Sequence, residues 1–275
     1  TVGFDTKALR SRIKSVNSTL HLTKAMGLVA SSKIRKANEA MFSARQFLDA
    51  YQETIRVLTA SSECRKSPYM AKRTGGKTRI IVIAGDRGMA GGYNANVFRL
   101  ARNFPGAELI PIGKRACDRF SLDYTYGIDT LSSEHFDGTK AAQLARNLCR
   151  DFAEGKFDRL GIIYTVYESI MTQTATMDWI LPLEAEEGVK AHGTIFEPDE
   201  NTVFQAVVPD YVAGRIAARV KESYASEVAA RRTAMDSAGK NATAMLDDLS
   251  LQYNRARQGA ITQEITEIVA GAGAE

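Results

Sequence analysis

The chain has 275 residues, 44% of them hydrophobic and 25% charged, which is ordinary for a folded protein and enough for a sizeable core. Its longest fully apolar run near a strand signal, Ile80 to Ala84, is far short of the roughly 18 residues a membrane span requires, and no charged-then-apolar leader opens the sequence, so no membrane span is expected. The net charge of +4 conceals an asymmetry: residues 1–79 carry 16 Lys and Arg against 5 Asp and Glu, so this basic end either meets an acidic partner or forms a solvated face.

From Asp5 to Glu63 there is no proline and a single glycine, Gly27. Alternating steps of four and three from Leu9 pass through Ile13, Val16, Leu20, Thr23, Gly27, Ala30, Ile34, Ala37, Met41, Ala44, Leu48, Tyr51, Ile55 and Leu58, nearly all apolar. A mean spacing of about 3.5 residues is that of a coiled-coil seam, and Asp5 is placed to cap the helix. A stretch with Pro68, Gly75 and Gly76 among basic residues follows and reads as a linker. Within it, "AKRTGGKT" (71–78) fails as a phosphate-binding loop, because Ala71 stands where the first glycine is needed and the segment precedes a strand.

Residues 78–208 change character. "TRIIVIAG", "AELIPIG", "RLGIIYTVY" and "MDWILPL" are short apolar runs bounded by glycine, proline or charge, alternating with helical stretches near 93–104, 113–120 and 139–154. This order predicts a small α/β domain with a mostly parallel sheet. "GDRGMAGGYN" (85–94) sits between strand and helix, where amides could cradle an anion, but it does not match GxGxxG and reads as a tight turn. Cys64, Cys117 and Cys149 are widely spaced, which suits a reducing compartment without disulfides, and His21, His135 and His192 are equally scattered. No metal, no cofactor and no catalytic residue is expected.

After Pro209 a second seam runs through Val212, Ile216, Val220, Tyr224 and Val228, falters at Arg231 and Arg232, and resumes at Met235, Ala238, Ala242, Met245 and Leu249. Helices of about 55 residues would be about 80 Å long and must project from a compact body about 50 Å across, so the economical solution is antiparallel pairing of the two. The last stretch, 251–275, is polar around nearly its whole circumference and offers no wide stripe for docking within the chain. The expected organisation is an N-terminal coiled-coil helix (1–63), a basic linker (64–77), an α/β domain (78–208) and a C-terminal coiled-coil helix (209–275).

"LRSRIKSVNSTLHLTKAMGLVASSKIRKA" (9–37), "GDRGMAGGYN" (85–94) and "LSLQYNRARQGAITQEITEI" (249–268) together resemble the gamma subunit of the F-type ATP synthase, in that order and over the whole chain. The resemblance implies an α/β fold class: a long antiparallel coiled coil of N- and C-terminal helices plus a central Rossmann-like α/β domain near a membrane rotor ring. It implies a noncatalytic rotor shaft whose turning cycles the catalytic subunits among conformations. Partners would be the alpha and beta subunits, the epsilon (or delta-equivalent) central-stalk subunit and the c-ring. On the family's motifs, Lys24, Met26, Lys33 and Arg35 would face the catalytic subunits' acidic lever, and Arg257, Gln258, Thr262 and Glu264 would make polar contacts with them. Gly27 would either give a neighbouring subunit room to slide or pack closely against the partner helix. Gly85 and Ala90 depart from the family's usual Ser and Cys, and His21-Leu22 before Thr23 departs from its usual Ile; no regulatory cysteine pair is seen. The implied location is peripheral to an energy-transducing membrane, on the cytoplasmic side of a bacterial inner membrane or the matrix side of a mitochondrial one. The alternatives are a basic coiled-coil protein associated with nucleic acid and, less well supported by the loops, a nucleotide-dependent enzyme.

Overall fold

A computed structural model describes residues 6–73, 75–120, 126, 128–186 and 196–272. Asp5, His192 and Thr74 of the basic linker lie outside the described residues, as do the last residues, 273–275. The chain divides into two units, residues 31–231 and residues 1–30 with 232–275.

The unit 31–231 is built on a four-stranded sheet of order β2-β1-β3-β4, with β1 at Thr78–Ile83, β2 at Glu108–Ile112, β3 at Arg159–Tyr167 and β4 at Gln173–Leu181. β1 runs parallel to both β2 and β3, and Ile80 to Ile83 are fully buried. An unbroken β-branched run of this kind is what a central strand covered on both faces requires. Ile80 and Val82 pack with Val97 and Ala101 of helix α2 (Tyr93–Ala101). Ile81 and Ile83 share the other cluster with Leu144, Leu148 and Phe152 of helix α4 (Gly138–Ala153). A short helix α3 (Lys114–Arg119) follows β2.

β4 is antiparallel to β3, so the sheet is mixed, and it starts at Gln173, ahead of the expected "MDWILPL". A tight reversal is responsible: the Glu168 and Ser169 amides donate to the Thr172 carbonyl, and Ser169 Oγ accepts from the Met171 and Thr172 amides. Ser and Thr close such turns through their own hydroxyls.

Helix α1 spans Thr6–Ala60 and helix α5 spans Glu200–Ala272. The expected boundary at 209 therefore falls inside α5, with Pro209 within the helix. Asp199 sets the actual start, accepting from the Thr202 amide at 2.8 Å and the Thr202 hydroxyl at 2.7 Å as an N-cap. Proline inside a helix costs about 3 kcal/mol; here Phe204, Val208, Val212 and Ile216, all fully buried, hold the segment against the sheet core and offset that loss. The Ser61 hydroxyl at the end of α1 hydrogen-bonds the Glu200 carboxylate at the start of α5.

The pairing is antiparallel in each unit. In 31–231, Gly214 of α5 faces Phe47 and Leu48 of α1, while Ala225 clusters with Ala37 and Met41, so one number rises as the other falls. In the other unit, Gly27 lies opposite Met235 and Gly239 opposite Leu20 and Thr23. A Cβ at Gly27 would meet the Met235 Cβ at 3.6 Å, an ordinary contact, so Gly27 faces the partner helix. Met245 departs from the expected seam: it is 45% exposed, while Ala242 and Leu249 are buried.

Candidate functional site

The glycine loop 85–92 places an anion at a helix N-terminus, but the anion is the chain's own. Asp86 Oδ1 accepts from the Ser133 amide at 2.7 Å and from the Lys114 amide, the first residue of α3, at 3.2 Å. Its Oδ2 accepts from the Ser132 hydroxyl at 2.7 Å and the Glu134 amide at 3.2 Å. Burial works to raise the Asp86 pKa, but these hydrogen bonds outweigh it and hold the carboxyl below its ordinary value. A phosphate would have to displace a carboxylate that already uses these donors. In the linker, the Gly76 amide is likewise taken, donating to Asp158 at 2.6 Å.

Beside this loop, α5 buries Glu222, Ser223, Ser226 and Glu227. Glu227 ion-pairs with Arg231, whose guanidinium also donates to the Arg87 and Gly88 carbonyls and so fastens α5 to the loop. Burial raises the Glu227 pKa and Arg231 opposes that shift. A Cβ at position 85 would come within 2.6 Å of Glu227 Cδ; Gly85 is the space this carboxylate occupies. Arg231, where the apolar seam falters, thus has a structural partner. The buried polar run was not singled out from the sequence, although "ESYASE" (222–227) places Glu222, Ser223, Ser226 and Glu227 within a helix otherwise rich in apolar residues.

The residues expected to face other subunits are not brought into one site. Lys24 is exposed and Met26 half-buried in the unit formed with residues 232–275. In the other unit, Lys33 pairs with Glu134 at 2.7 Å and the exposed Arg35 with Glu39 at 3.0 Å. Arg257, Gln258, Thr262 and Glu264 are all exposed, and Thr262 merely returns its hydroxyl to the Gln258 carbonyl at 2.9 Å. Ile261, Ile265, Ile268 and Val269 are exposed on the same stretch, which therefore presents apolar as well as polar groups outward. His21 and Leu22 are also exposed.

Among the described residues there is no cluster of His, Cys, Asp or Glu able to hold a metal, and no helix is long and apolar enough to cross a membrane. The cysteines are free and buried; burial pushes Cys149 up to about 12, far from the range in which a thiolate would react.

Residues 5–274 match the family described as ATP synthase. The chain is 41% identical over 274 residues to the ATP synthase gamma chain of Ruminococcus albus, covering 95% of this chain and 96% of the relative. It is 38% identical over 294 residues to the sodium ion specific ATP synthase gamma chain of Acetobacterium woodii, covering 97% of each. Among solved structures, a chain of the Euglena gracilis mitochondrial ATP synthase, OSCP/F1/c-ring, matches with a TM-score of 0.65 at 19% identity over 98% of this chain and 94% of that one, a likeness of fold. These findings give the nucleic-acid alternative no support.

Proposed function

Because the chain belongs to the ATP synthase family, among its gamma chains, we propose that its paired helices are a rotor shaft working directly on alpha and beta subunits, with the epsilon subunit and the c-ring bound at the α/β end. The chain is a noncatalytic central-stalk subunit that couples ion-driven rotation to conformational cycling of catalytic subunits. The observation that carries the partner assignment is the end of α5: from residue 254 onward nearly every described side chain is exposed, and Ile261, Ile265, Ile268 and Val269 recur at helical spacing on one face, with charges around the rest. A helix whose apolar face stays exposed has no reason to persist alone. Enclosure by other chains accounts for both its length and its mixed chemistry.

In this reading, Arg257, Gln258, Thr262 and Glu264 make polar contacts with catalytic subunits, and Lys24, Met26 and Arg35 meet their acidic lever. Lys33 joins them only by sharing its charge with Glu134. Each rotational angle presents a different face, and unequal contacts with the subunits' states bias their equilibrium. The domains act as shaft (1–63 and α5 from residue 200 onward), linker (64–77) and foot (78–199), and the complex sits peripheral to the membrane on the cytoplasmic side of a bacterial inner membrane. Reconstitution tests this: the chain mixed with alpha, beta and epsilon subunits and a ring-bearing membrane should yield a complex containing all of them by subunit mass analysis, with ATP hydrolysis that pumps ions. Recovery of the chain on nucleic acid, with retention lost as salt rises, would overturn it.

A further inference from the structure

β3 outruns its neighbour. The parallel register of β1 with β3 ends at Val82 opposite Ile163, whereas β3 continues to Tyr167 with only β4 beside it. Past that point the open edge of β3 is paired by side chains of the long helices. The Thr165 amide donates to Ser223 Oγ at 3.1 Å, and Ser226 Oγ donates to the Thr165 carbonyl at 3.1 Å. The Tyr167 amide donates to Glu222 Oε1 at 3.3 Å.

Glu222 ties this edge to everything around it. Its side chain is 1% exposed, Oε1 also accepts from Arg45 Nη2 of α1 at 2.6 Å, and Oε2 accepts from Arg219 Nη1 at 2.9 Å. Arg219 in turn reaches Asp178 of β4 at 3.1 Å. A single carboxylate thus joins α1 and α5 to β3, and through Arg219 to β4.

We infer that the Glu222 cluster is the torque clamp between the long helices and the sheet, with Arg45, Glu222 and Arg219 as positioning residues for transmission of rotation. The inference rests on the rotor reading above. Apolar packing is non-directional; it resists separation of a helix from a sheet far better than it resists sliding along it. Charge-assisted hydrogen bonds have preferred geometry and are about twice as strong as neutral ones, so they oppose shear. Elsewhere on this face the helices meet the sheet mainly through residues such as Val212 and Ile216, which supply area without direction, with one longer ion pair, Arg215 to Asp178 at 3.5 Å.

The test is single-complex rotation and ion pumping by the assembled enzyme, with Arg45→Ala and the near-isosteric Glu222→Gln. Unloaded ATP hydrolysis per assembled complex should match the wild type, while the load at which rotation stalls, and pumping against a gradient, should fall about fivefold, the size of effect expected when connected residues lose their coupling. Arg45→Lys, which keeps a cation beside Glu222, should restore most of the loss. Arg56→Ala, which breaks a surface pair with Glu53 on the same helix, should change neither quantity. Loaded and unloaded rates falling by one common factor, or loaded rotation unchanged in both variants, would overturn the clamp. Failure of the wild-type chain itself to pump in the same vesicles would overturn the rotor reading instead.

Discussion

Helix α5 carries charged residues in two settings. From Glu222 to Arg231 they are buried or half-buried and meet β3, α1 and the glycine loop; from Arg255 to Glu267 they are exposed and meet little beyond their own helix. Altering the first stretch costs the fold some stability as well as any transmission through it, since removing one partner leaves another charge buried and unpaired. The second leaves the fold indifferent. Its chemistry matters where another chain surrounds it, so substitutions in the first stretch should register in the stability of the isolated chain and those in the second should not.

The largest expected effect lies in the buried polar network of the sheet. Arg79 contacts Asp151 at 2.7 Å and Glu108 at 2.8 Å, and both Arg79 and Asp151 are almost fully buried. Asp151→Ala should lower unfolding free energy by about 3–5 kcal/mol, as breaking a buried pair does; a urea titration reading under about 1 kcal/mol would place this pair with the surface ones.

Next comes Gly113, at φ 93°, where a Cβ would run into the Ala84 carbonyl. Gly113→Ala should destabilise by about 2–3 kcal/mol, combining a left-handed backbone with a backbone clash. Thermal melting checks it, and an unchanged midpoint would mean that the turn relaxes.

Acid should then erode the buried network selectively. Burial opposes ionisation of Asp151, but hydrogen bonds from Tyr126, Lys156 and Arg79 and the charge of Arg79 bring its pKa down to about 2. A depressed folded pKa contributes stability above the unfolded value and loses it as pH falls, so about 2 kcal/mol should disappear between pH about 4 and about 2. The stability difference between wild type and Asp151→Asn should shrink over that window; a constant gap would refute the assignment.

The smallest expected effect on stability lies at the exposed end. Arg257→Ala and Glu264→Ala should shift unfolding free energy by less than about 0.5 kcal/mol, as surface substitutions usually do. In the assembled complex they should weaken coupling, read as ions pumped per ATP hydrolysed. A large loss of stability in the isolated chain would erase the contrast between the two stretches of α5.

Much of this architecture is legible in the residues. Every position of the N-terminal seam from Leu9 to Leu58 is buried or half-buried, because a spacing near 3.5 residues keeps one stripe turned toward a partner whatever that partner is. The lack of a wide apolar stripe after Leu249 announces a helix that the chain itself does not cover, although it also carries the narrow face of Ile261, Ile265 and Ile268, and the run Ile80–Ile83 announces a strand covered on both faces. Periodicity could not reveal what long-range contact decides. The start of α5 at Glu200 depends on packing that outweighs Pro209. The burial of Glu222 and Glu227 depends on the open edge of β3, on Arg45 far away in the chain, and on the space left by Gly85. A charge enters a core only where donors converge on it, and that convergence is a property of the folded chain.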